Sequence, residues 1–258
     1  MLPILQIGPL AIQTPGLIIL IGIWIGLDMS ERQAKLFGLD GGRIFSLLAW
    51  MLGAGLIGAR LVFAASQMAI FTANPLSLFS LSPQLLNLPG GLAAALGAGL
   101  AYGQRQKLPL WTTLDALSTP LAILAVASAV ANFASGDAFG VTSNLPWAID
   151  FLGARRHPSQ IYETLAGLAA AALVWPRPVG RLDAWLRAAP GLRFWVFIAA
   201  SALARLALEP FRAGAELILG QFHLAQVVSW SILALSLWQI FRRGWPAPKP
   251  SAESETIS

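Results

Sequence analysis

Asn132, Asp137, Arg155, Arg156, His157, Gln160, Tyr162 and Glu163 fall between residues 131 and 163 of a chain otherwise built from long apolar runs. A second set, Arg205, Glu209 and Arg212, repeats at i, i+4 and i+7, which places the three on one face of a helix and its extension. Arg60 stands alone within Gly58-Ala59-Arg60-Leu61. Charged groups at membrane depth are costly and usually mark function. A guanidinium keeps its charge and offers paired donors that match phosphate oxygens. Arg60, Arg205 and Arg212 therefore point to a site for an anionic phospholipid, open to the outer leaflet. The competing reading of each arginine is an ion pair within the membrane or a snorkelling side chain. The acidic partners on that side are Asp137, Asp150, Glu163, Glu209 and Glu216.

Other chemistries are excluded by what is missing. The chain has no cysteine, so it carries neither a thiol nucleophile nor a thiolate metal site. Its two histidines, His157 and His223, are too few for a histidine-rich metal centre, and neither a metal nor a cofactor is expected. The formal charge of +5 does not come from a nucleic-acid patch, and no nucleic-acid partner is expected. Twelve of the 17 basic residues fall on alternate connections: Arg32, Lys35 and Arg43; Arg105 and Lys107; Arg177, Arg181, Arg187 and Arg193; Arg242, Arg243 and Lys249. The positive-inside rule makes those connections cytoplasmic, with the N-terminus outside and the C-terminus inside. Arg60, Arg155, Arg156, Arg205 and Arg212 are left near the outer face.

The elements that must hold these residues follow from hydropathy. At 56% hydrophobic, 11% charged and a mean hydropathy of +0.67, the chain reads as all-α and polytopic. We expect a bundle of about seven transmembrane helices with a small extracytoplasmic polar region. The spans are read at 15–28, 44–63, 90–102, 114–131, 159–174, 194–208 and 224–241. Several are shorter than the ~20 residues of a perpendicular crossing and must borrow from flanking polar sequence. One integral membrane domain covers 1–245, and 246–258 forms a disordered cytoplasmic tail. The start of the chain lacks a basic n-region, so no cleaved signal peptide is read there. The charge-free stretch 64–89 suits the outer interface. Gly53, Gly55 and Gly58 in the second span, with Gly90, Gly91, Gly97 and Gly99 in the third, allow close helix approach. Gly136 and Gly140 let the backbone turn after Asn132. Pro158 and Ser159 mark a helix start, with Ser159 as the cap, and Gln160, Glu163 and Thr164 share a face of that helix.

The chain resembles the prolipoprotein diacylglyceryl transferases of the bacterial cytoplasmic membrane. The likeness runs through Ile7-Gly8-Pro9-Leu10 and Gly16, Gly58-Ala59-Arg60-Leu61, Gly90-Gly91 and Leu114-Asp115. It continues with Asn132-Phe133 to Gly140, Thr142, Pro146-Trp147-Ala148, and the block Arg156-His157-Pro158-Ser159-Gln160-Ile161-Tyr162-Glu163. Arg205, Glu209 and Arg212 follow, then Gln226 and Ser229. The resemblance implies transfer of a diacylglyceryl group from phosphatidylglycerol to the lipobox cysteine thiol of a lipoprotein precursor. The products are a thioether and glycerol phosphate. The partners implied are therefore phosphatidylglycerol, other membrane lipid and a prolipoprotein, with the nucleophile on the substrate. It implies catalytic roles for Asn132, Asp137, Arg205 and Glu209. Arg60, Asn132, Gly140, His157, Gln160, Tyr162, Glu163, Arg205 and Arg212 would contact lipid.

The chain also departs from the family pattern. Ser128-Ala129 stands where the family has Gly-Arg, and Leu88-Pro89 precedes the paired glycines in place of a His. Pro15 and Ser201 replace two tyrosines, and Asp137 replaces a Glu. His157, Asp137, Glu163 and Glu209 are the candidates left for proton transfer. The other expectation is a non-catalytic lipid-binding or lipid-moving protein on the same bundle. A channel or transporter would need a polar track across the whole membrane, whereas the polar residues here gather at one side.

Overall fold

A computed structural model describes residues 4–7, 10–68, 85–177, 179–214, 217–218 and 222–244. The tail 246–258 and most of the interfacial stretch 64–89 lie outside the described residues. All seven apolar stretches are helical. They form α1 (Thr14–Ala34), α2 (Gly41–Ser66), α3 (Leu88–Arg105), α4 (Leu110–Ser135), α5 (Ser159–Val174), α7 (Leu192–Leu208) and α8 (Leu224–Gly244). A short α6 (Arg181–Leu186) precedes α7. Among the described residues, five helices, those starting at Thr14, Gly41, Leu110, Leu192 and Leu224, are long and apolar enough to cross a membrane. Large apolar side chains such as Leu20, Trp24, Trp50, Leu203 and Trp230 are exposed on these helices. That surface suits lipid and would be a liability in water. The chain is an all-α, multi-pass membrane protein.

Two helices start ahead of the apolar window because a polar side chain caps them. Asp40 accepts the Arg43 N–H at 3.0 Å and starts α2, three residues ahead of the apolar run. Asn87 does the same for α3, accepting the Gly90 N–H at 2.8 Å with Pro89 in the first turn. At α5 the expectation fails in detail. Pro158 occupies the N-cap without a side-chain bond, and the Ser159 hydroxyl donates to the Ala138 carbonyl at 2.7 Å instead.

The chain groups into two compact units, Met1–Ile23 with Leu121–Ser258, and Trp24–Pro120. In the second of these, α2 and α3 pack along a seam of small residues. Gly58 faces Ala94 with no space for a Cβ, while a Cβ on Gly91 would lie 2.9 Å from both the Gly55 carbonyl and the Ala59 Cβ. Of the glycines expected to permit this, Gly53 and Gly97 face nothing within contact distance. Ala34, Ile44, Leu47 and Leu117 form the buried cluster of the unit. Arg60 belongs here: it is buried near the end of α2, and its Nη1 donates to the Leu85 carbonyl at 2.9 Å.

The first unit contains the end of α4 and all of α5 to α8. Ala122, Ala171, Val174, Leu186, Val196 and Phe197 form its main apolar cluster. Gly167 on α5 meets the Val126 side chain of α4, where a Cβ would stand 2.9 Å away. Short antiparallel hairpins precede α1 and join later helices, which apolar periodicity did not predict. They are β1 (Ile4–Ile7) with β2 (Leu10–Gln13), β3 (Ile149–Phe151) with β4 (Ala154–Arg156), and β5 (Leu217–Ile218) with β6 (Phe222–His223). Strands this short carry little alternation. The β3–β4 turn uses Leu152 and Gly153, both at positive φ of 52° and 73°. That is the twist a two-residue hairpin requires, reached with a leucine in place of the usual Asn or Asp.

Candidate functional site

Three helices of the first unit meet at a cavity of about 330 Å³. Its walls are small residues: Ala125 and Ala129 from α4, Ala166, Gly167 and Ala170 from α5, and Ala204 from α7. Its polar lining consists of Asn132, Glu163, Arg205 and Arg212, together with the hydroxyl residues Ser128 and Ser201. A slot of this size and lining accepts an extended apolar chain with an anionic group beside the arginines.

Arg205 and Arg212 do not reach the cavity from one helical face. α7 ends at Leu208, Glu209–Phe211 forms a 3-10 turn, and Arg212 is extended at φ −90° and ψ 139°. Pro210 explains the break, since it supplies no N–H to continue the helix. Arg212 is placed by backbone pairing. It bridges Gly140, Val141 N–H donates to the Phe211 carbonyl at 3.0 Å, and Ala213 N–H donates to Phe139 at 3.0 Å. On the other side the same segment meets β4 through Thr142 and Arg156, and His157 N–H donates to Val141 at 3.0 Å. Gly140 sits between these neighbours. A Cβ there would run into the His157 carbonyl and lie 2.8 Å from the Phe211 carbonyl, so no other residue fits.

The turn leading into that segment is held from α5. Gly136 and Ala138 both take positive φ, 84° and 54°, and the alanine does so at a steric cost. Ser159 bonds the Ala138 carbonyl, and Gln160 Nε2 donates to the Asp137 carbonyl at 2.8 Å. Two buried polar side chains thus clamp a strained turn beside Asn132.

The charges around the cavity are matched. Glu163 is shared: its Oε1 accepts a hydrogen bond from Arg212 Nη1 and lies 3.6 Å from Arg205 Nη1. Glu209, almost wholly buried, has Oε2 3.0 Å from Arg205 Nη2, close enough for an ion pair although poorly aligned for a hydrogen bond. Arg205 keeps 40% of its side chain exposed and is open to an incoming anion. Arg205, Glu209 and Arg212 also line a second cavity of about 330 Å³ that reaches Leu224 and Val228 of α8.

Of the residues singled out in the sequence, Asn132, Glu163, Arg205 and Arg212 come together, with Glu209 against Arg205. Asp137 is exposed, and it is its backbone carbonyl that is engaged, by Gln160. His157 packs on Phe211 at 5.1 Å between ring centroids, and its Nδ1 lies 3.3 Å from the Tyr162 hydroxyl, which accepts a 2.7 Å bond from Trp147 Nε1. These aromatic residues brace the Arg212 segment and do not line the cavity. Arg155 and Arg156 are structural: Arg155 donates to the Leu145, Pro146 and Ala148 carbonyls, and Arg156 stacks 5.0 Å over Phe139. Two of the four lost family polar positions, Ala129 and Ser201, line the same cavity.

One buried ion pair escaped the sequence reading. Arg193, counted as a cytoplasmic orientation charge, is fully buried at the start of α7. It donates to Asp183 Oδ1 and to the Val174 carbonyl, each at 2.6 Å, and Arg187 pairs with the other Asp183 oxygen at 2.5 Å. Burial pushes the Asp183 pKa up, but the Arg193 bond, the Arg177 backbone N–H and the two arginine charges outweigh it and hold the carboxyl below its ordinary value. Asp183 three residues into a short amphipathic run was the available signal.

A family model described as prolipoprotein diacylglyceryl transferase matches residues 3–242. The phosphatidylglycerol–prolipoprotein diacylglyceryl transferase of Thermus thermophilus is 31% identical over 273 residues, covering 93% of this chain and 97% of its own length. The protein of the same description from Allorhizobium ampelinum is 30% identical, covering 92% and 88%. That from Ruegeria pomeroyi is 31% identical, covering 80% and 78%.

Proposed function

The chain belongs to the prolipoprotein diacylglyceryl transferase family, and from that premise we propose that it moves a diacylglyceryl group from phosphatidylglycerol to the lipobox cysteine of a prolipoprotein. The observation that carries the reading is the meeting of Arg205 and Arg212 at the polar lining of a small-residue slot. In the reaction the cysteine thiolate attacks the CH2 of the diacylglyceryl moiety that bears the phosphate. The carbon–oxygen bond breaks and its electron pair leaves with the phosphate oxygen, giving a thioether and glycerol phosphate. The guanidinium groups of Arg205 and Arg212 hold that phosphate and stabilise the charge it gains on departure. The apolar slot takes the lipid end, and Asn132 supplies a neutral donor beside it. Arg60 is proposed as a headgroup contact of its own unit.

The setting we propose is the bacterial cytoplasmic membrane, with the reaction at the outer leaflet, the N-terminus outside and the C-terminus in the cytoplasm. Residues 1–245 are proposed as one integral membrane domain followed by a disordered tail. The test uses the purified full chain in vesicles with labelled phosphatidylglycerol and a lipobox peptide. Appearance of the thioether supports the proposal. Lipid binding with no thioether would leave the non-catalytic reading.

A further inference from the structure

The charged side chains of the site already balance one another. Arg205 and Arg212 face Glu163 and Glu209, with neutral Asn132 from α4 on the remaining side. An anionic headgroup that takes both guanidinium groups must displace a carboxylate from them. Glu163 is the one placed to yield. It lines the cavity and is partly exposed, whereas Glu209 is buried and lies against Arg205 on the far side. Resting on the transferase reading, we propose that the lipid phosphate displaces Glu163 from Arg212 and Arg205, and that the released Glu163 carboxylate then takes the proton of the substrate thiol.

The geometry selects Glu163 from the four candidates. Asp137 is exposed, His157 is engaged with Tyr162 and Phe211, and Glu209 is buried and does not line this cavity. Without the lipid, the Glu163 carboxylate is held by both guanidinium groups. After exchange, the phosphate occupies those groups and the Glu163 carboxylate, still lining the cavity, is free to accept a proton. The proton leaves sulfur for Glu163. The sulfur electron pair forms the C–S bond, the C–O bond electrons depart on phosphate, and Glu163 returns to the arginines as glycerol phosphate leaves, releasing its proton to that product or to water. The exchange also orders the reaction, because the thiol is activated only when lipid is in place.

The experiment compares wild type, E163Q and E163D in phosphatidylglycerol vesicles, reading lipid binding and the rate of thioether formation against pH. A second peptide carries selenocysteine, whose more acidic selenol needs no base. E163Q is expected to bind phosphatidylglycerol as well as wild type or better, to transfer to the cysteine peptide at least ~100-fold more slowly, and to recover most of its rate on the selenocysteine peptide. E163D is expected to keep the acid limb of the pH profile, and E163Q to lose it. An E163Q rate equal to wild type, or equal loss of binding and transfer with no recovery on the selenol, overturns the proposal. If wild type itself forms no thioether, the transferase reading falls and this proposal with it.

Discussion

At the scale of single residues, the site depends on a few atoms with no tolerance. Gly140 has no room for a methyl group between His157 and Phe211. Gly140→Ala is expected to force the 139–143 segment away from Arg212, costing about 1–3 kcal/mol as overpacked sites do. Thermal unfolding in detergent and phosphatidylglycerol binding should both fall. Arg205 and Arg155 provide the opposing pair. Arg205→Ala removes a charged donor at the cavity, worth about 1.5–3 kcal/mol, and should reduce transfer roughly 10- to 150-fold. Arg155→Ala removes bonds to exposed carbonyls and should leave transfer within a few-fold of wild type. Equal effects of the two substitutions would count against the site.

At the scale of elements, two seams hold the helices. The α2–α3 seam is made by Gly55, Gly58, Gly90 and Gly91 in contact, where small residues let backbones approach. Gly58→Leu should separate the pair and lower the unfolding temperature, while Gly97→Leu, facing open space, should not. The junction of α5, α6 and α7 depends on Asp183 and Arg193. Removing one partner of a buried ion pair leaves the other uncompensated, so Asp183→Ala should cost about 3–5 kcal/mol. Asp183 has a lowered pKa in the folded protein. Its contribution is thus fully present above the ordinary aspartate value and is lost as pH falls through the lowered one. Acid unfolding curves should show this loss in wild type and not in Asp183→Asn.

At the scale of the whole molecule, orientation can be tested because the chain has no cysteine of its own. A single cysteine at Asn144 should react with an impermeant reagent added outside intact cells, and one at Gln106 only after permeabilisation. The reverse pattern would place the arginine site at the wrong leaflet. What the sequence by itself determined was every long helix, because a segment crossing lipid must bury its backbone bonds internally and announces itself by apolar length alone. The boundaries of α5 were legible to the residue, and elsewhere capping residues such as Asp40 and Asn87 extended the helix past the apolar window. Asn132, Glu163, Arg205 and Arg212 were legible as types and spacings. Only the tertiary structure decided that Arg212 arrives by backbone pairing past Pro210, that Glu163 joins both arginines, that Asp137 and His157 stay outside the cavity, and that Arg193 is buried. Each of these depends on which side chains a folded chain brings within a few ångströms across distant segments, and local hydropathy carries no record of that.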